Sequence, residues 1–155
     1  MNRAFMREAI RISIQKMRRG EGGPFGTVVV KGGRIVGRGW NRVTSTNDPT
    51  AHAEVVAIRA ACRKIKTFHL EDCVLYTSCE PCPMCLAAIY WARLRCVYYG
   101  NTRKDAASIG FDDDLIYKEL ALPLARRRVP LRQLLPGEAA AAFHAWLAKA
   151  DKIRY

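Results

Sequence analysis

A Gly32-Gly33 pair between two β-rich runs, Thr27 to Lys31 and Arg34 to Gly39, is the tightest constraint in this 155-residue chain. Two consecutive glycines supply the two positive-φ positions of a primed turn, whose twist matches that of the strands it joins. The spacing therefore predicts an antiparallel hairpin. Before it, Met6, Ala9, Ile10, Ile14 and Met17 recur at three- and four-residue steps, predicting an amphipathic helix over Met1 to Arg19 that Gly20 ends. After it, Trp40 to Pro49 is polar and turn-rich, and Thr50 to Lys66 has a helical pattern with basic residues gathering at its end. Cys73 to Thr77 reads as a short buried strand, Met84 to Arg93 as a helix with Pro83 in its first turn, and Cys96 to Tyr99 as a strand closed by Gly100. Strands and helices in alternation require crossover connections, hence an α/β fold with a sheet that is at least partly parallel.

Beyond residue 100 the pattern predicts a loop through Gly110, an acidic knot at Asp112, Asp113 and Asp114, and a helix to Leu122. A basic strand near Arg127 to Arg132 and a last helix from Gly137 to about Lys149 follow. No repeat or linker interrupts the chain, so residues 1–155 are expected to form one domain. Half the residues are hydrophobic and 26% are charged, which suits a packed core and argues against disorder. No apolar run approaches the roughly 20 residues that cross a bilayer, so no membrane role is expected.

Charge is unusual: 26 Lys and Arg against 14 Asp and Glu give +12, which admits nucleic acid as a partner. The Arg-rich start, with Glu8 as its one acid before Arg19, also has the composition of a transit peptide, but its periodicity reads as a helix of the domain. The six cysteines are not preceded by a secretory signal, and three of them cluster at metal-ligand spacing. A reducing cytoplasmic setting with free thiols is expected rather than a disulfide framework.

Two segments carry the chemistry: Thr50-Ala51-His52-Ala53-Glu54 and Cys79-Glu80-Pro81-Cys82-Pro83-Met84-Cys85, each at a helix start. Cys82 and Cys85 are three apart, which brings two sulfurs to one helix face as adjacent corners of a tetrahedron around zinc. His52 can reach the same ion if both helices start on one side of the sheet. Three protein ligands leave a corner open, which distinguishes catalytic from structural zinc. Glu54, two residues past His52, does not share its helix face and suits a base beside the metal better than a fourth ligand. In the competing arrangement Cys79 joins the other three in a closed structural site. Pro81 and Pro83 bias the loop away from helix, which places Cys79 at the end of the preceding strand instead. An iron–sulfur motif lacks its fourth Cys with a following Pro. Cys62, Cys73 and Cys96 read as core residues, and His69 and His144 as isolated ones.

His52-Ala53-Glu54 followed by Pro81-Cys82-Pro83-Met84-Cys85 is the H-x-E…P-C-x-x-C signature of zinc-dependent nucleobase deaminases, and the chain resembles that family. Gly22-Gly23-Pro24-Phe25-Gly26, Asn41, Ile89-Tyr90-Trp91-Ala92-Arg93, Gly110-Phe111-Asp112-Asp113, Ile116-Tyr117-Lys118-Glu119 and Tyr155 extend the resemblance to the bacterial guanine deaminases nearly end to end. The resemblance implies a cytidine deaminase-like α/β/α sandwich with a mixed sheet of about five strands. It also implies a homodimer whose C-terminal segments, about 112–155, exchange between subunits.

It further implies zinc on His52, Cys82 and Cys85. Glu54 would pass a proton from the attacking water to the ring nitrogen and finally deliver a proton to the departing amine, so that guanine becomes xanthine and ammonia. Asn41 would hydrogen-bond the purine, Phe25 would stack on it, and Asp113 with Tyr155 would close the pocket. Guanine's N–H donors suit a carboxylate, although Asp112 or Asp114 could face inward in place of Asp113. Trp91 could be pocket wall or core. The competing functions keep the metal and change the substrate: adenosine in transfer RNA, favoured by +12 and the Arg126-Arg127-Arg128 run, or guanosine, cytosine or an amino-triazine. A noncatalytic zinc module that binds nucleic acid is the remaining class, and Glu54 counts against it.

Overall fold

The computed structural model describes residues 2–111 and 113–154, in two compact units, Met1–Asp113 and Asp114–Tyr155. The first unit opens with α1 (Arg3–Arg18), whose N-cap Asn2 accepts a hydrogen bond from the Ala4 amide. Strands β1 (Gly26–Lys31) and β2 (Arg34–Trp40) form the expected hairpin, with Gly32 at φ 53° and Gly33 at φ 75°, the left-handed pair that the turn demands. A one-turn helix, α2 (Val43–Thr46), lies in the stretch expected to be loop. Then come α3 (Ala53–Ile65), β3 (Cys73–Cys79), α4 (Pro83–Trp91), β4 (Cys96–Asn101) and a short α5 (Arg103–Ser108).

The sheet order is β2-β1-β3-β4, with β1 antiparallel to both neighbours and β3 parallel to β4 across the α4 crossover. Among the described residues it is a mixed sheet of four strands, not the expected five. Alternation along β1 and β3 feeds two cores on opposite faces. Val28, Val30 and Tyr76 pack with Ile12 of α1 on one face. Val29 and Leu75 pack with Ala57, Ile58 and Ala61 of α3 and Ile89 of α4 on the other. This is the three-layer α/β/α arrangement that the resemblance implies. Glycine sets the spacing of the second layer, because a Cβ at Gly37 would run into the Ala57 carbonyl oxygen and one at Gly39 into that of Ala53. The sheet can thus lie directly against the start of α3.

The second unit contains α6 (Asp114–Ala121), a 3-10 turn (Leu124–Arg126) and α7 (Pro136–Ala148). The helices fall where expected, but the basic strand near Arg127 to Arg132 does not form. Arg127 instead donates through its guanidinium to the carbonyls of Leu122 (3.2 Å) and Leu120 (3.4 Å), and the Arg128 amide donates to Glu119 Oε2 at 2.7 Å. These groups close the end of α6, and Pro130 has no N–H to offer a strand ladder. No residue of α6 or α7 is buried. No helix among the described residues is long and apolar enough to cross a membrane.

Candidate active site

The two helix starts that carry the motif residues open beside each other on one side of the sheet. His52 is the N-cap of α3 and Cys82 the N-cap of α4, both in extended backbone, and Cys85 sits in the first turn of α4 behind Pro83. His52 Nδ1 lies 3.5 Å from Cys82 Sγ and 3.5 Å from Cys85 Sγ. Among the described residues these three form the one group whose ligand atoms lie within 4.8 Å of one another. Tetrahedral zinc with N and S bonds of about 2.0–2.3 Å separates its ligand atoms by roughly 3.5 Å, so the donor types and their spacing fit that ion. Cys79 is not in the group. It ends β3, as expected from the two prolines, and its Sγ donates to the Thr102 carbonyl at 3.6 Å. The closed four-ligand arrangement therefore has no fourth corner here.

Protons are distributed unevenly over the three. The Cys82 thiol is pulled down to about 4, chiefly by the hydrogen bond from Cys85 and also by His52, against the opposing effect of burial. Cys85 is held well above the ordinary thiol range, first by donating to Cys82 and then by burial. His52 is raised, mainly by its contact with Cys82. Cys82 is thus the readier thiolate of the two, and a zinc ion held here would take both sulfurs as thiolates.

Glu54 stands outside the trio and next to it. It occupies the first turn of α3 and is 6% exposed, with Oε2 accepting from Cys85 Sγ at 3.3 Å and Oε1 from Thr77 Oγ1 at 3.1 Å. Burial pushes its carboxyl above the usual range. A carboxyl raised by burial and set beside the trio is placed to exchange protons there, the property a general acid–base group needs.

Two of the expected pocket residues, Asn41 and Phe25, lie beside Gly22 and Gly23. Asn41 is buried, and its Oδ1 accepts from the amides of Gly23 (3.3 Å) and Val43 (3.2 Å). Phe25 meets Phe111 edge-on, centroids 4.9 Å apart and planes at 88°. Asp113 is half-buried, raised chiefly by desolvation, and interacts electrostatically with Cys82, Arg103 and Glu80. Of the acidic knot, Asp113 lies within electrostatic reach of His52 and Cys82, Asp114 begins α6, and Asp112, like Tyr155, lies outside the described residues. Trp91 is 69% exposed and is not core.

Sequence reasoning missed what holds the segment carrying Phe111 and Asp113. The Glu80 amide donates to the Asn101 carbonyl at 2.8 Å, and Glu80 Oε2 accepts from the Arg103 amide at 2.9 Å. With the Cys79 contact to Thr102, the metal loop grips the start of α5 at three successive residues. Helix α5 itself stands where a loop through Gly110 was expected; the signal that could have found it is the capping box of Thr102 and Asp105.

Comparison with known proteins agrees with this geometry. The chain is 50% identical over 151 residues to guanine deaminase of Bacillus subtilis, covering 97% of each. The X-ray structure of that enzyme superposes with a TM-score of 0.97 over 100% of this chain and 99% of its own. A structure of guanine deaminase from Nitrosomonas europaea is 31% identical, with a TM-score of 0.69 over 73% of this chain and 65% of its own. The transfer-RNA-specific adenosine deaminase of Aquifex aeolicus is 41% identical over 100 residues, which is 64% of this chain and 66% of that protein. Residues 1–101 match the cytidine and deoxycytidylate deaminase zinc-binding region. With the His52, Cys82 and Cys85 trio inside that stretch and the fold shared over the full length, the chain belongs to the zinc-binding cytidine and deoxycytidylate deaminase family.

Proposed function

We propose that this protein hydrolyses guanine to xanthine and ammonia. The observation that carries the reading is the buried Glu54 carboxyl, 3.3 Å from Cys85 and outside the metal-ligand group. A structural metal site has no use for such a neighbour. Zinc on His52, Cys82 and Cys85 supplies the Lewis acidity that activates water at neutral pH. Glu54 takes the proton of the attacking water and hands it to the ring nitrogen beside C2, then takes the proton of the new C2 hydroxyl and delivers it to the departing amine. Both lone pairs of Asn41 Oδ1 are committed to backbone, so its Nδ2 is the group that addresses the purine, as a donor to a ring nitrogen or carbonyl. Phe25, braced by Phe111, stacks on the base, and Asp113 accepts from guanine's N–H edge. The near-complete match to a guanine deaminase favours this substrate over transfer RNA, whose deaminases match shorter stretches.

The second unit supports the reading that C-terminal segments exchange in a homodimer. Phe143, Leu147 and Leu134 are 76%, 67% and 82% exposed, an apolar display that calls for a covering partner. Tyr155 of a second copy then completes the pocket with Asp113. The free cysteines suit a reducing cytoplasm.

The test is ammonia release by zinc-loaded protein from guanine, with guanosine, cytosine, an amino-triazine, adenine and transfer RNA in parallel. Turnover of guanine alone is expected, and E54Q keeps its zinc while turnover drops by about 10²- to 10⁴-fold. Activity confined to transfer RNA would overturn the substrate. An E54Q variant as active as the parent would overturn the mechanism.

A further inference from the structure

On the sheet face under α3 and α4, β1 and β3 present Val29 and Leu75, both fully buried, and one step further along the same face they present Thr27 and Thr77, also 0% exposed. A β-branched residue fits this surface, and valine has the shape of threonine without a hydroxyl that costs energy to bury unpaired. Both hydroxyls are paired, and in one direction: Thr27 Oγ1 donates to Thr77 Oγ1 at 2.9 Å, and Thr77 Oγ1 donates to Glu54 Oε1 at 3.1 Å. Thr27 and Thr77 are register partners across β1 and β3, so the chain of bonds is fixed by backbone pairing and not by a mobile loop.

We infer that Thr77, with Thr27 behind it, is a positioning residue for Glu54. Its hydroxyl occupies one carboxyl oxygen and turns the other, Oε2, toward Cys85 and the metal trio. A carboxyl with one oxygen pinned has lost the rotation that would aim the proton elsewhere, and catalytic steps lose large factors when a reacting group is misplaced by about 1 Å. The inference rests on the reading of Glu54 as the proton carrier.

The test is T77V, which keeps the shape and removes the donor, set against T77S, which restores it. T77V is expected to keep stoichiometric zinc and a KM for guanine near that of the parent, while kcat falls about 10- to 100-fold. T77S is expected to recover kcat to within about threefold. A T77V kcat reduced by less than about threefold, or a T77S as slow as T77V, overturns the inference. Should T77V lose its zinc, T27V cuts only the outer link. A kcat lowered about threefold or more at full zinc content then supports the chain of bonds, and a smaller loss overturns it.

A parent inactive on every base would refute the proposed function instead. The bond is still read without substrate, by a melting cycle of T77V and E54A on zinc-loaded protein. Shifts non-additive by about 2 °C or more are expected, and smaller coupling overturns the bond.

Discussion

The two units differ in how they spend their apolar residues. In Met1–Asp113 every long helix turns a face to the sheet, and Ala9, Ile12, Ala57, Ile58, Leu75 and Ile89 are 8% exposed or less. In Asp114–Tyr155 neither α-helix buries a residue, although α7 carries Phe143, Trp146 and Leu147. The first unit is stabilised by its own packing. The second displays its apolar residues on the surface, and neither of its α-helices buries one.

Paired truncations break this comparison most sharply. L75A removes a fully buried side chain and should cost about 2–5 kcal/mol, a fall in melting temperature of about 5–15 °C, at any protein concentration. F143A should cost less than about 0.5 kcal/mol in a monomer but shift a dimer toward monomer in sedimentation. Concentration-independent melting of F143A with unchanged mass would leave α7 without a partner. Next in size, G39A drives a methyl group into the Ala53 carbonyl just ahead of Glu54. We expect a loss of about 1–3 kcal/mol by chemical denaturation, together with lower turnover, because the start of α3 must move.

The smallest effect sits on the surface of the first unit. Glu8 accepts from Arg11 at 2.7 Å and from Arg38 at 3.2 Å, and these guanidinium groups, Arg11 first, hold it below its ordinary value of 4.5. A carboxyl depressed in the folded state stabilises above the unfolded pKa, and that contribution is lost as pH falls through the folded one. E8Q should therefore match the parent near pH 3 and be less stable near pH 7, by no more than about 1 kcal/mol in a solvated position. Equal stability at both pH values would show that the pair contributes nothing.

The contrast also explains what could be read from the chain. Gly32-Gly33, the apolar steps of α3 and the proline before Met84 are local signals backed by packing, and each element formed where they placed it. Helix α1 also formed, but of its steps Ile10, Ile14 and Met17 are exposed, and Ala9 and Ile12 are the apolar residues it buries. His52, Cys82 and Cys85 were legible because metal-ligand chemistry imposes spacing. The strand expected at Arg127 to Arg132 failed because arginine's reach to the α6 carbonyls is a property of side-chain length, which β-propensity does not weigh. Thr77 passed unnoticed because a buried threonine in a strand reads as one more β-branched core residue. Its role shows only when Glu54, 23 residues away, is brought to its hydroxyl. Glu80 was visible in the motif, but its partner at Arg103 lies across a parallel strand pair.

The three-point grip of Cys79 and Glu80 on residues 101–103 separates the site into parts with different freedom to vary. In the proposed reaction, proton transfer and metal binding sit on two helix starts pressed against a sheet, where almost any exchange of side chains disturbs a core. Phe111 and Asp113 sit on a strap fastened at its near end by hydrogen bonds, which can be relengthened or resequenced beyond α5 while the fastening stays intact. A lineage could thus change the molecule it deaminates by rewriting the strap and leave the reaction untouched, a division of labour that lets one chemistry pass from base to base.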